Sequence, residues 1–269
     1  GEGLPQFKEI TPTEVSKYIP ILLTNLKRKL AILEKELEQK LLVKECLNWL
    51  DVMPQLYEIS EKLRWSWGVV NHLNSVCNTT EFREAYSSQQ PEIVRFGNQL
   101  AQNKVIYKSL SNLQKQKGIK DEVQIRIIQA ELISMKNKGI GLEENEKIMF
   151  NSYSERLAQL STIFSNNVID ATNNWSLLLK KKSEIDGLPE GLLETLALAA
   201  RDAGDKSEEN MEPSATAGPW RIGLDLPRYI PFLTYAKNRK LREIVYRAFV
   251  SRASEGKFSN EKNIEEILD

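Results

Sequence analysis

The amino-acid sequence predicts an all-α protein, a multi-helix lobe with one short strand or ribbon near residues 219–225. Three observations carry that prediction. Apolar residues recur in steps of three and four over most of the chain, as on helices with one buried face. Gly and Pro number only 13 and 10 in 269 residues, and several of them, Pro54, Pro91, Gly118, Gly139 and Gly141 among them, fall where elements would be separated. Trp220-Arg221-Ile222-Gly223-Leu224 alternates at period two, the spacing of a strand, and no other stretch does so convincingly.

Composition narrows the class. A chain of 269 residues can bury a sizeable core, and 41% apolar with 28% charged residues is ordinary for a globular domain. The formal net charge is zero. That argues against a general nucleic-acid binder, whose phosphate contacts need a basic excess. No apolar run approaches the roughly 20 residues of a membrane span, and the N-terminus lacks the charged-then-apolar pattern of a signal peptide. Cys46 and Cys77 are far apart in sequence and are expected as buried or half-buried thiols of a reducing compartment.

The elements follow in order. Gly1 to Ile10 carry little pattern. At Thr11-Pro12-Thr13-Glu14, a hydroxyl cap, a first-turn proline and a glutamate able to close a capping box predict a helix start. This helix is expected to reach about Lys44 on a stripe of Tyr18, Ile21, Leu22, Leu26, Leu30, Leu33 and Leu37. A second helix covers about Asn48 to Val76, with a break expected at Pro54 and with Leu56, Leu63, Trp67, Val70 and Leu73 inward. Asn78-Thr79-Thr80-Glu81 opens a short helix to about Ser88. Pro91 restarts one to about Lys117, with Val94, Leu100, Ile106 and Leu110 inward and Gly118 as its end. Asp121 opens the next, through Ile125, Ile128, Leu132 and Met135, stopped by Gly139 and Gly141.

The long stretch from Glu143 to Lys182 contains no Gly or Pro and reads as one helix, about 60 Å long at about 1.5 Å per residue. Its expected buried stripe is Met149, Tyr153, Leu157, Leu160, Phe164, Val168, Ala171, Trp175 and Leu178, and Lys180, Lys181 and Lys182 suit its negative end. Leu188-Pro189 starts a short Ala- and Leu-rich helix to about Ala203. Gly204 to Ala217 is almost devoid of apolar residues and reads as a mobile loop or local boundary. After the strand, Pro227 begins a short helix to about Ala236, Asn238 caps another through Leu241, Val245 and Phe249 to Ser254, and Ile264 to Asp269 starts a further one. The expected organisation is a helical lobe over 1–204, a mobile loop over 205–218, and a strand with helices over 219–269.

Chemistry-bearing constellations are scarce. With His72 as the single histidine there is no His-Glu-x-x-His zinc motif and no His-Cys cluster at ligand spacing, and no phosphate loop or Gly-x-Ser-x-Gly elbow occurs. Glu143-Glu144 and Glu265-Glu266 are adjacent residues that point apart on a helix. Arg239, Arg242, Arg247 and Arg252 stud one late helix, where Glu243 and Glu255 offer internal ion pairs. The candidate site is the polar run Ser165, Asn166, Asn167, Asp170 and Asn173 on the long helix. Its residues either hydrogen-bond neighbouring helices or line a wet cleft.

One further signal lies in the motifs. The segment Leu160-Ser161-Thr162-Ile163-Phe164-Ser165-Asn166-Asn167-Val168-Ile169-Asp170-Ala171-Thr172 resembles the zinc oligopeptidases of the thimet oligopeptidase and oligopeptidase A group. Trp67-Gly68-Val69-Val70-Asn71-His72, followed by Arg83-Glu84-Ala85-Tyr86, agrees with it. So do Leu188-Pro189-Glu190 and the stretch from Gly218-Pro219-Trp220 through Asp225-Leu226-Pro227 to Arg252-Ala253-Ser254. The likeness covers nearly the whole chain and is strongest to the branch found in bacteria, cyanobacteria and plant organelles.

The resemblance implies an almost wholly helical enzyme of two lobes flanking a deep channel that admits short unfolded peptides, targeting peptides among them. In such an enzyme zinc sits on a His-Glu-x-x-His helix, polarises the scissile carbonyl and activates a water, with the motif Glu as general base. This chain corresponds to roughly the first two-fifths and stops before the zinc motif. The resemblance therefore assigns it no catalytic residue and no metal ligand, and makes it a non-catalytic channel wall whose partner is the C-terminal catalytic part. It also implies a cytoplasmic place, or an organellar stroma or matrix in a plant. A stand-alone helical interaction protein descended from that lobe is the competing reading, and an independent enzyme built on His72 is a third. The first expects an exposed apolar patch facing the catalytic part; the second expects polar surface there.

Overall fold

A computed structural model describes residues 4–115, 121–207 and 209–269. Ten α-helices and one two-stranded antiparallel sheet occur among them. The chain divides into two compact units, Gly1–Gln159 and Leu160–Asp269. The division falls inside the long helix, not at the 205–218 loop, because that loop connects two parts of the second unit.

The first unit is built on α1 (Pro12–Leu42). The Thr11 side chain accepts from the Glu14 N–H, which satisfies an end-of-helix donor. The stripe Ile19, Leu23, Leu26, Leu30, Leu33 and Leu37 is buried, and α2 (Trp49–Val76), α3 (Thr80–Ala101) and α4 (Lys104–Lys115) all pack against α1. Tyr18 and Ile21, expected inward, are half exposed. The unbroken apolar run Ile19-Pro20-Ile21-Leu22-Leu23 offers two registers, and the one continuous with Val15 and Leu26 wins. α5 (Glu122–Asn137) packs on α4 and buries Ile128, Leu132 and Met135 as expected.

Two expected breaks are absent. α2 runs through Pro54 and α3 through Pro91. Each proline deprives one carbonyl of its helical donor, that of Leu50 or of Ser87, and both residues are exposed, so water replaces the bond. The real break comes at Gln102-Asn103, where the Asn103 side chain accepts from the N–H groups of Val105 and Ile106 and starts α4 anew. In α3 the buried residues are Phe82, Ala85, Tyr86, Gln90, Ile93 and Phe96, with Val94 on the flank. The helix end expected at Gly118 lies outside the described residues. Both cysteines are exposed, not buried: Cys46 lies in the turn after α1, and Cys77 ends α2 beyond the apolar seam.

The long helix, α6 (Glu144–Asn174), is shorter than expected. Three leucines in a row suit a strand as well as a helix, and Ser176–Leu179 forms β1, antiparallel to β2 (Trp220–Gly223), with Leu177 opposite Ile222 and Leu179 opposite Trp220. Pairing across the sheet overrides the helical reading of 175–182. In the second unit α7 (Glu190–Asp202) packs on β2 and on α8 (Leu226–Tyr235), and α8 packs on α9 (Arg239–Val250). Trp220, Ile222, Leu196, Phe232 and Val245 are fully buried there. α9 stops four residues before the expected Ser254, and α10 is Glu261–Leu268. The 205–218 loop is tied at its ends: Arg221 donates two bonds of 2.7 Å to the Asp205 carboxylate, and Trp220 Nε1 donates to the Ala215 carbonyl at 3.1 Å.

Two measurements check this packing. Leu160 is 2% exposed, so Leu160→Ala is expected to cost about 2–5 kcal/mol in urea unfolding of the second unit; a loss under about 0.5 kcal/mol would mean the buried face of α6 is misassigned. Between α1 and α2, Lys29 and Lys62 donate to the Glu58 carboxylate at 2.6 and 2.7 Å and hold its pKa down to about 2. A carboxyl whose pKa is depressed by folding stabilises fully above the ordinary value of 4.5, and that stabilisation is lost as pH falls through about 2. Carboxyl NMR is expected to place the Glu58 midpoint near 2 and to show it rise toward 4.5 in the Lys29→Ala, Lys62→Ala double variant.

Candidate functional site

At 100° per residue the five polar residues of α6 do not share a face. Asn166, Asp170 and Asn173 lie along one line of the helix, while Ser165 and Asn167 sit on opposite flanks of it. Ser165 is exposed and its hydroxyl donates back to the Ser161 carbonyl at 2.9 Å, a bond within the helix. Asn173 is exposed, and Asn166 and Asp170 are half-buried. Asn167 is used structurally. Its amide donates to Asn260 Oδ1 at 2.9 Å.

Asn260 is the centre of that contact. It is 1% exposed, accepts also from Asn263 at 2.8 Å, and donates through Nδ2 to the Phe164 carbonyl at 3.1 Å. Its backbone N–H donates to the Ala253 carbonyl. A buried amide with its bonds made fixes the neighbouring backbones, and the same amide left unpaired would be costly. The Asn260 cluster therefore anchors the Phe164–Asn167 turn of α6 to the turn that precedes α10. Nothing in the polarity of 165–173 alone revealed Asn260, which lies 93 residues beyond Asn167.

The part of α6 in the first unit is packed the opposite way from expectation. Lys147 is buried; Asn151, Ser154, Glu155 and Ala158 are half-buried. α3 reaches this face with polar groups: Gln90 donates to the Ala158 carbonyl at 3.1 Å, Arg95 holds Glu155 with two bonds of 2.9 Å, and Gln102 meets Asn151 at 2.8 Å. The apolar residues expected inward turn to solvent. Met149, Tyr153 and Leu157 are 55%, 66% and 49% exposed. The signal that could have shown this was the matching run of Gln and Arg on α3.

Comparison with known proteins gives the frame. The model of the neurolysin/thimet oligopeptidase N-terminal domain matches residues 19–147. The probable cytosolic oligopeptidase A of Arabidopsis thaliana is 36% identical over 266 residues, which cover 98% of this chain and 36% of that protein. The organellar oligopeptidase A, chloroplastic/mitochondrial, of the same plant is 37% identical over 98% of this chain and 32% of its own length. Oligopeptidase A of Haemophilus influenzae is 32% identical over 99% of this chain and 37% of its own. The chain is an N-terminal lobe of the thimet oligopeptidase and oligopeptidase A family. It spans about a third of the length of the curated relatives it matches.

The motifs that carry the oligopeptidase resemblance form structural joints. Trp67 stacks on Tyr86 with ring centroids 4.6 Å apart, and the Tyr86 hydroxyl donates to Asn71 Oδ1 at 3.0 Å, which locks α2 against α3. Arg83 donates to the Asn78 side chain in the turn between these helices. In the second unit Gly218 has φ +72, and a Cβ there would lie 2.6 Å from the Trp220 ring, so only glycine fits. His72 is exposed on α2 with its ring 5.8 Å from that of Phe7. Three of the four late arginines serve internally: Arg247 pairs with Glu243, Arg242 donates to the Ala236 carbonyl, and Arg252 lies over the Phe249 ring.

The anchoring role of Asn260 has a direct check. Asn260→Ala removes the Asn260 bonds to the Asn167 amide and the Phe164 carbonyl and leaves a buried gap, and an expected loss of about 1–3 kcal/mol should appear in chemical denaturation. Asn173→Ala, at an exposed position, is expected to stay within about 0.5 kcal/mol. Equal effects of the two would remove Asn260 from this role.

Proposed function

We propose that this chain is the non-catalytic N-terminal portion of a zinc-dependent oligopeptidase. In the whole protein it forms one wall of a channel through which short peptides, including targeting peptides, reach a C-terminal catalytic part. The observation that carries the reading is the outward apolar line Met149, Tyr153 and Leu157 on α6 of the first unit, in a lobe whose relatives are about three times as long. A stand-alone interaction protein would carry polar side chains there. Within the run Ser165, Asn166, Asn167, Asp170 and Asn173, the reading gives the exposed Ser165 and Asn173 to the channel side.

The residues present do not fit a zinc site. Among the described residues no group of three or more His, Cys, Asp and Glu side chains could hold a metal, and the single histidine stands exposed on α2. In this reading the zinc ligands belong to the catalytic part. No helix among the described residues is long and apolar enough to cross a membrane. The relatives' names include a cytosolic and a chloroplastic/mitochondrial protein, and we place the whole protein in the cytoplasm or in an organellar stroma or matrix.

The test is cleavage of a quenched fluorescent peptide of about ten residues, a length that a peptide channel accommodates, by the purified chain with and without added zinc. No turnover is expected in either case, and His72→Ala should leave the metal content unchanged. Zinc-dependent turnover that survives repurification would overturn the assignment of this chain as non-catalytic.

A further inference from the structure

A groove of about 1220 Å³ opens on the first unit where the last turns of α1 meet one face of α4 and one face of α5. It is no part of the polar run on α6 or of the outward line beside it. Apolar side chains stand open in it: Leu42 is 81% exposed and Ile133 58%, over the buried Leu132. Three lysines line it. Lys108 and Lys115 are two turns apart on α4, and Lys136 is one turn beyond Ile133 on α5. All three are exposed and hold no carboxylate among the described residues, whereas Lys29, Lys40 and Lys62 on the neighbouring helices are each paired. Glu38 is the one acidic side chain among the described lining residues. An adjoining hollow shares Leu41, Asn112 and Lys115 and adds Lys44, while its Glu45 is held by Lys40 at 3.3 Å.

The geometry points to a docking groove for an acidic amphipathic helix of another polypeptide. Charge complementarity selects the partner: three ammonium groups with no carboxylate among the described residues, around an apolar floor, call for Asp and Glu flanking an apolar face. The volume exceeds the roughly 300–1,000 Å³ of a small-ligand pocket. No strand occurs among the described residues of the first unit, so a partner cannot add to a sheet edge and must be read through side chains. A helix does this with apolar anchors at i, i+3 or i+4, and i+7 seated between Leu42 and Ile133. A nucleic-acid strand would need stacking platforms, and Tyr107 is the one aromatic side chain among the described lining residues.

The test uses a fluorescein-labelled helical peptide of about sixteen residues made of Leu, Ala and Glu, with leucines at those anchor spacings, and a control peptide with every Glu replaced by Lys. Fluorescence anisotropy with the full chain is expected to show saturable binding of the acidic peptide, at least about tenfold tighter than the control, that weakens with added salt. The triple variant K108E/K115E/K136E should lose this preference, and Ile133→Ser should weaken binding with the charges intact. Far-UV circular dichroism checks that both variants fold. Absence of saturable binding, equal binding of the two peptides, unchanged binding by the folded triple variant, or tighter binding of a single-stranded oligonucleotide would each overturn the proposal. Peptide cleavage is not read here, so the outcome stands apart from the oligopeptidase reading.

Discussion

The first unit depends on one apolar seam. Ile19, Leu23, Leu26, Leu30, Leu33 and Leu37 recur in steps of four and three along α1, and each is buried. Burial of such a side chain contributes about 1.5–3 kcal/mol. The seam is also the surface shared by α2, α3 and α4, none of which covers its own apolar face alone. α5 reaches the core through α4. With so many neighbours on one helix, the rotation of α1 about its axis decides which residues of the others face inward. That explains why the Val15–Ile19–Leu23 register prevails over the competing one through Tyr18 and Ile21.

The fold was legible wherever helix ends had chemical signals. Thr11, Asn48, Thr79, Asp121 and Asn238 each accept from a backbone N–H at the start of a helix, and these starts stand in the sequence. Proline misled at Pro54 and Pro91, because the bond it removes is cheap when the orphaned carbonyl faces water. The end of α6 was hidden for a different reason. Ser176 to Leu179 becomes a strand only because Trp220 to Gly223, more than 40 residues later, supplies its hydrogen-bond partner. No local pattern records such a partner.

The candidate site was less legible. The polar run on α6 names residues of three different roles, since Ser165 bonds within its own helix, Asn167 is tied to Asn260, and Asn173 is exposed. Polarity marks all three alike. The apolar stripe beside the run has the spacing of a core face, and Leu160 is indeed buried. Met149, Tyr153 and Leu157 are not, because the helix that meets α6 in the first unit brings glutamine and arginine. Which face of a helix is buried depends on what the neighbour offers, and the neighbour's offer is written elsewhere in the chain.

The polar seat of α6 on α3 has a mechanical consequence. Leucine against leucine tolerates sliding and small rotations, since dispersion contacts are many, weak and without direction. Hydrogen bonds such as Gln90 to the Ala158 carbonyl, and the forked contact of Arg95 with Glu155, have direction and break on a modest turn. They act as a spline on a shaft. The helix is keyed at one angle, so the greasy side chains of Met149 and Tyr153 on its far face are presented in a fixed orientation.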